Sequence, residues 1–173
     1  MTGLAGLRAG YERLLEWVVI VLMVALAAEV TVGVVFRTLG QSLVWYDEIA
    51  SILLAWVSFY GAALGALKRA HIGFPGLVSS MKPTWRVPLT LLAEACVLGF
   101  FILLGWIGFE VLGVLSTDHL VSLPSVSVAW TQSVIPISSA LFVVAELVNF
   151  PVVLAEARRG AAVGASALAE MTH

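Results

Sequence analysis

Apolar residues in this chain do not alternate with polar ones but gather into four long blocks, at 17–36, 49–67, 87–115 and 128–154. Each is about the length a helix needs to cross a hydrocarbon core, ~20 mostly apolar residues. Charge interrupts them sparingly: Glu29 in the first, none in the second, Glu94 and Glu110 in the third, Glu146 in the fourth. The fourth also carries Pro136 and Pro151, and proline inside a span removes a backbone donor and invites a kink. The pattern predicts an all-α integral membrane protein, a four-transmembrane-helix bundle forming one membrane domain over 1–173. The Ala-, Gly- and Ser-rich tail at 160–173 has no apolar anchor and is expected to be disordered.

The first block could be mistaken for a cleavable signal. Arg8 and Arg13 precede it, and Ala25-Leu26-Ala27 loosely resembles a cleavage site. The apolar run continues well past the ~7–15 residues of a signal core, so a retained helix is expected.

Basic residues give the orientation. Arg8, Arg13, Lys68, Arg69, Lys82, Arg86, Arg158 and Arg159 share one side, and Arg37 alone lies on the other. By the positive-inside rule, both termini and the middle connection are cytoplasmic. The connections around 37–48 and 116–127 are then outside. Trp17, Trp45, Trp85 and Trp130 fall at block ends, where an amphipathic ring suits the headgroup region, while Trp56 and Trp106 are mid-block.

Composition agrees: 61% of residues are hydrophobic and 12% charged, against about 25% charged in soluble domains. A net charge of -2 gives no footing for a nucleic-acid partner. Cys96 is the only cysteine, which excludes an internal disulfide. Its apolar surroundings predict a buried, inert thiol. The three histidines, His71, His119 and His173, lie outside the blocks, so no haem, metal or other cofactor site is expected. No catalytic motif is present, and the chain is not read as an enzyme.

The intramembrane acids Glu29, Glu110 and Glu146 should face protein or water, because lipid exposure is costly. A proton or cation relay is one reading; the favoured one is a carboxyl hydrogen-bonded to a neighbouring helix or a partner. Glu94 and Glu110 are 16 residues apart, hence ~24 Å along a helix, and no spacing ties the acids into one site. Gly61 and Gly65, with Ser58, Ala62 and Ala66 beside them, make a face on which two helix backbones can approach closely, within this chain or against a partner. Arg37 closes the first block and Glu48 opens the second, so a short connection is expected to pair them.

The run Trp45-Tyr46-Asp47-Glu48-Ile49-Ala50, continuing through Trp56-Val57-Ser58-Phe59-Tyr60-Gly61-Ala62-Ala63 to Lys68-Arg69-Ala70-His71-Ile72, resembles the small permease subunit of tripartite ATP-independent periplasmic (TRAP) transporters, the DctQ-like family. Arg37 matches an arginine of that family. Leu123-Pro124, Trp130 and Ile135-Pro136 resemble its closing pattern. After His71-Ile72 the family usually reaches an acidic residue, whereas Gly73-Phe74-Pro75 stands here. The resemblance implies the small scaffold subunit of a secondary importer in the bacterial inner membrane. A large membrane subunit would carry an organic acid, such as a C4-dicarboxylate or sialic acid, on a sodium or proton gradient. A periplasmic solute-binding protein would dock on the assembly, and lipids would surround it. Arg37, Trp45, Glu48, Trp56, Gly61, Gly65, Arg69, His71 and Pro136 are the interface or structural candidates. The alternative is a small self-sufficient exporter that couples protons through Glu29.

Overall fold

The computed structural model describes the backbone of residues 2–70 and 83–171, and side chains over 6–70 and 85–159. His71 and His173 lie outside the described residues. The helices are α1 (Thr2–Thr38), α2 (Tyr46–Leu67), α3 (Pro83–Leu115), α4 (Val128–Gln132) and α5 (Val134–Met171). Four stretches are long and apolar enough to cross a membrane: Gly6–Thr38, Tyr46–Leu67, Trp85–Leu115 and Val128–Arg159. The chain is thus an all-α, four-span membrane protein.

Helix α1 begins well before its apolar block. Leu, Ala, Glu and Arg dominate residues 4–16, and these are strong helix formers, so nothing stops the helix at the edge of the apolar run. The extension also makes tertiary contacts. Leu15 is buried, and the Tyr11 hydroxyl donates to the Leu141 carbonyl of α5 at 2.6 Å.

The helices pack in the order α1, α2, α5, α3, with no extended α1–α3 contact among the described residues. The bundle is therefore opened out, with α1 and α3 at its margins. Its core lies towards the end that carries Arg8, Lys68 and Arg69: Leu15, Ala63, Ala66, Leu67, Phe142 and Ala145. Small side chains on α2 and α5 let these helices approach closely, which is how packing is gained in lipid. Phe101 of α3 stacks on Phe142, with centroids 3.5 Å apart. Farther along the α3–α5 seam, a Cβ on Gly108 would come within 2.8 Å of Ile135, so glycine is what permits that crossing.

The fourth span is broken at Ser133, three residues before the proline expected to kink it. Pro136 is the third residue of α5, a first-turn position where its missing N–H leaves no gap in the helix ladder.

Candidate functional site

The candidate residues collect at the two ends of α2. At its N-terminus Trp45 is the cap residue but contributes no side-chain cap bond, and Asp47 and Glu48 fill the first turn. Acids there are favoured by the partial positive charge of the helix start. Glu48 does not pair with Arg37. Its carboxylate instead accepts from the backbone N–H groups of Val121 (3.2 Å) and Ser122 (2.9 Å), and from the Ser122 hydroxyl. Two consecutive amides and a hydroxyl form a ready receptor for a carboxylate, and bonds to a charged acceptor are the strong ones. Arg37, exposed at the end of α1, makes no ion pair among the described residues.

That contact fixes the 116–127 connection. Its own bonds include Leu120 N–H to the Val126 carbonyl (3.0 Å) and Val128 N–H to the Asp118 carbonyl (2.9 Å). Leu120 is tucked in, whereas Val121, beside it, is 93% exposed. Ser127 ends the connection by accepting from Ala129 N–H as the cap of α4. Trp56 braces the break that follows: its indole N–H donates to the Thr131 carbonyl at 2.8 Å, and its ring stacks on Trp130. One turn before Arg37, Gly33 of α1 lies so close to the Tyr46 ring that a Cβ would overlap it.

The other end of α2 is closed more heavily. Arg69 takes the left-handed conformation (φ 53°), usually a glycine's place after a helix. Ala70 N–H reaches the Gly65 carbonyl (2.8 Å), and Arg69 N–H the Ala66 carbonyl (3.0 Å). This is the double turn that satisfies a helix's last acceptors. The amide of buried Asn149, from α5, donates to the Ala66 (2.9 Å) and Leu67 (3.0 Å) carbonyls. Lys68 pairs with Glu16 and with Glu12 of α1, and Arg69 with Glu156 of α5 at 2.7 Å. The Glu16 carboxylate raises the Lys68 ammonium above its ordinary range, and Glu12 adds to the rise.

Glu29, Glu110 and Glu146 do not come together, as their spacing implied, but one contact between helices joins two acids. Glu146 of α5 lies within hydrogen-bonding reach of Glu94 of α3, with Arg69 acting on it from the turn after α2. A hydrogen bond between two carboxyls requires a proton on one of them. Glu110 accepts from the Trp106 indole (3.1 Å) one turn away. Glu29 has a buried Oε1 with no hydrogen-bond partner. Cys96, expected to be buried, is exposed on α3. A Cβ on Gly61 would meet nothing within 4 Å; the small residues that α2 buries inside the chain are Ala63 and Ala66. Asn149 escaped the sequence reading, although a lone amide inside an apolar run was signal enough, since such a group must find partners.

A family model for the tripartite ATP-independent periplasmic transporters, DctQ component, matches residues 26–155, about three quarters of the chain. No curated protein matches it.

Proposed function

The chain belongs to the DctQ component family of tripartite ATP-independent periplasmic transporters, and we propose that this small membrane subunit acts as a scaffold. In this reading it braces the large transport subunit in the bacterial inner membrane, with both termini and the 68–86 connection cytoplasmic. Its opposite end contributes to the surface on which the periplasmic solute-binding protein docks. The cargo is an organic acid, moved by the large subunit on a sodium or proton gradient.

The observation that carries the docking role is the 116–127 connection held on Glu48. It lies on the side away from eight of the nine basic residues, and it presents Val121 almost fully to solvent. A connection fixed in advance loses little conformational freedom when a partner binds.

Binding of the soluble component to the purified two-subunit membrane complex tests this. Val121→Asp should weaken that binding while leaving the two membrane subunits together. Unchanged binding would remove the docking role. Orientation is tested in a Cys96→Ala background: a cysteine at position 78 should resist an impermeant thiol reagent added from outside.

A further inference from the structure

Glu29 is the intramembrane acid that the described part of the chain leaves unpartnered. Glu94 has Glu146, and Glu110 has Trp106. Glu29 makes no hydrogen bond among the described residues: its Oε1 is covered by the chain's own atoms, while the rest of the residue keeps part of its surface open, so a donor from outside would meet the other carboxyl oxygen. It stands eight residues before Arg37 on α1, hence about 12 Å below the membrane boundary at 1.5 Å per residue. At that depth a carboxyl without a partner is strongly disfavoured.

The chemistry narrows what can satisfy it. Acyl chains carry no donor, headgroups do not reach that depth, and a soluble component does not enter the bilayer. A second copy of this chain, set about a two-fold axis along the membrane normal with α1 facing α1, would bring Glu29 against Glu29. That places acid against acid, a pairing that, like Glu94 with Glu146, holds only while one carboxyl keeps its proton. A membrane-embedded partner with a hydrogen-bond donor at mid-depth satisfies the carboxyl without that condition, and α1 has the room to receive one. Along its apolar stretch almost every residue keeps part of its surface open. Val32, one turn along from Glu29, is 42% exposed.

We propose that the Glu29 face of α1 is the seat of a transmembrane helix of the large subunit, and that this helix carries a hydroxyl, amide or basic donor to the Glu29 carboxyl. This rests on reading the chain as one subunit of a larger membrane assembly. It names the face and the chemistry of that contact.

The test uses the two membrane subunits co-expressed and purified together. Glu29→Leu should weaken their association at least about tenfold, the scale of one lost charge-assisted hydrogen bond, whereas Glu29→Gln, which still accepts a bond, should retain most of it. The isolated subunit carrying Glu29→Leu should melt no lower than the parent, which separates a lost contact from a failed fold. A photo-crosslinking side chain at position 32 should give an adduct with the large subunit. If the subunits co-purify but Glu29→Leu has no effect and position 32 reaches only lipid, the Glu29 seat is wrong and the scaffold reading survives. An adduct with a second copy of this chain would also overturn the proposal, in favour of a homodimer around Glu29. Failure of the parent subunits to co-purify would remove the scaffold reading itself.

Discussion

The two ends of α2 are held in different ways. At the basic end α2 is closed by the buried amide of Asn149, by a left-handed turn at Arg69, and by ion pairs to α1 and α5. At the other end one carboxylate, Glu48, fastens a connection rather than a helix. The first arrangement fixes three helices against each other and makes the core. The second shapes a surface. On the proposed scaffold reading the two serve different needs, a rigid body at one end and a docking feature at the other.

The largest effect is expected at Asn149. Asn149→Leu removes the amide donor shared by the Ala66 and Leu67 carbonyls, leaving the first with the Arg69 N–H and the second with only a long Arg8 contact (3.4 Å). A buried polar group left unsatisfied costs about 1–3 kcal/mol, so the isolated subunit should lose roughly 2–3 kcal/mol in a detergent-unfolding titration. A change below about 0.5 kcal/mol, within the range of an ordinary surface substitution, would mean the end is held by the turn and the ion pairs without the amide.

Two glycines sharpen the contrast. Gly33→Leu forces a side chain into the Tyr46 ring and should destabilise the isolated chain by about 1–3 kcal/mol, the usual cost of overpacking. Gly61→Leu meets open space and should leave that stability unchanged. If Gly61→Leu weakens association with the large subunit instead, the outward face of α2 is a second contact with the partner.

A smaller, local effect is expected at Glu48. Glu48→Gln should speed hydrogen exchange at the Val121 and Ser122 amides without changing protection near Ala66 and Leu67. Loss of protection at both ends would show that they are coupled, and the division of labour between them would fail.

The smallest effect belongs to Lys68. Its ammonium is raised by Glu16 and Glu12, so any stability from these pairs is fully present below the ordinary lysine range and is lost only as pH rises through the raised value. From about pH 6 to about pH 9, below the ordinary lysine value of about 10.4, the subunit should show no stability change that Lys68→Met removes.

The four spans were legible because bilayer thickness translates directly into the length of an apolar run. The ends of the helices were less so. Residues 4–16 precede the apolar block, yet they suit a helix, and Tyr11 and Leu15 draw them onto the bundle. Pro136 signalled the disturbed fourth span correctly but not its position, because proline is tolerated in a helix's first turn and the break moved to Ser133. Glu48 was picked out, but its partner was misjudged: Arg37 is near in sequence, while Val121 and Ser122 are reached only once the chain folds back. The approach of Glu94 to Glu146 was invisible for the same reason, since spacing along one helix says nothing about contacts between two. Of the small face read on α2, Ala66 is buried inside this chain and Gly61 borders open space, while the equally buried Ala63 was not picked out.

The most direct measurement of the central claim is solute uptake by proteoliposomes supplied with the soluble binding component and an ion gradient. Vesicles holding this subunit alone should take up nothing, and vesicles holding it together with the large subunit should accumulate solute. Uptake by the subunit alone, abolished by Glu29→Gln, would contradict the scaffold role and make this chain a transporter in its own right.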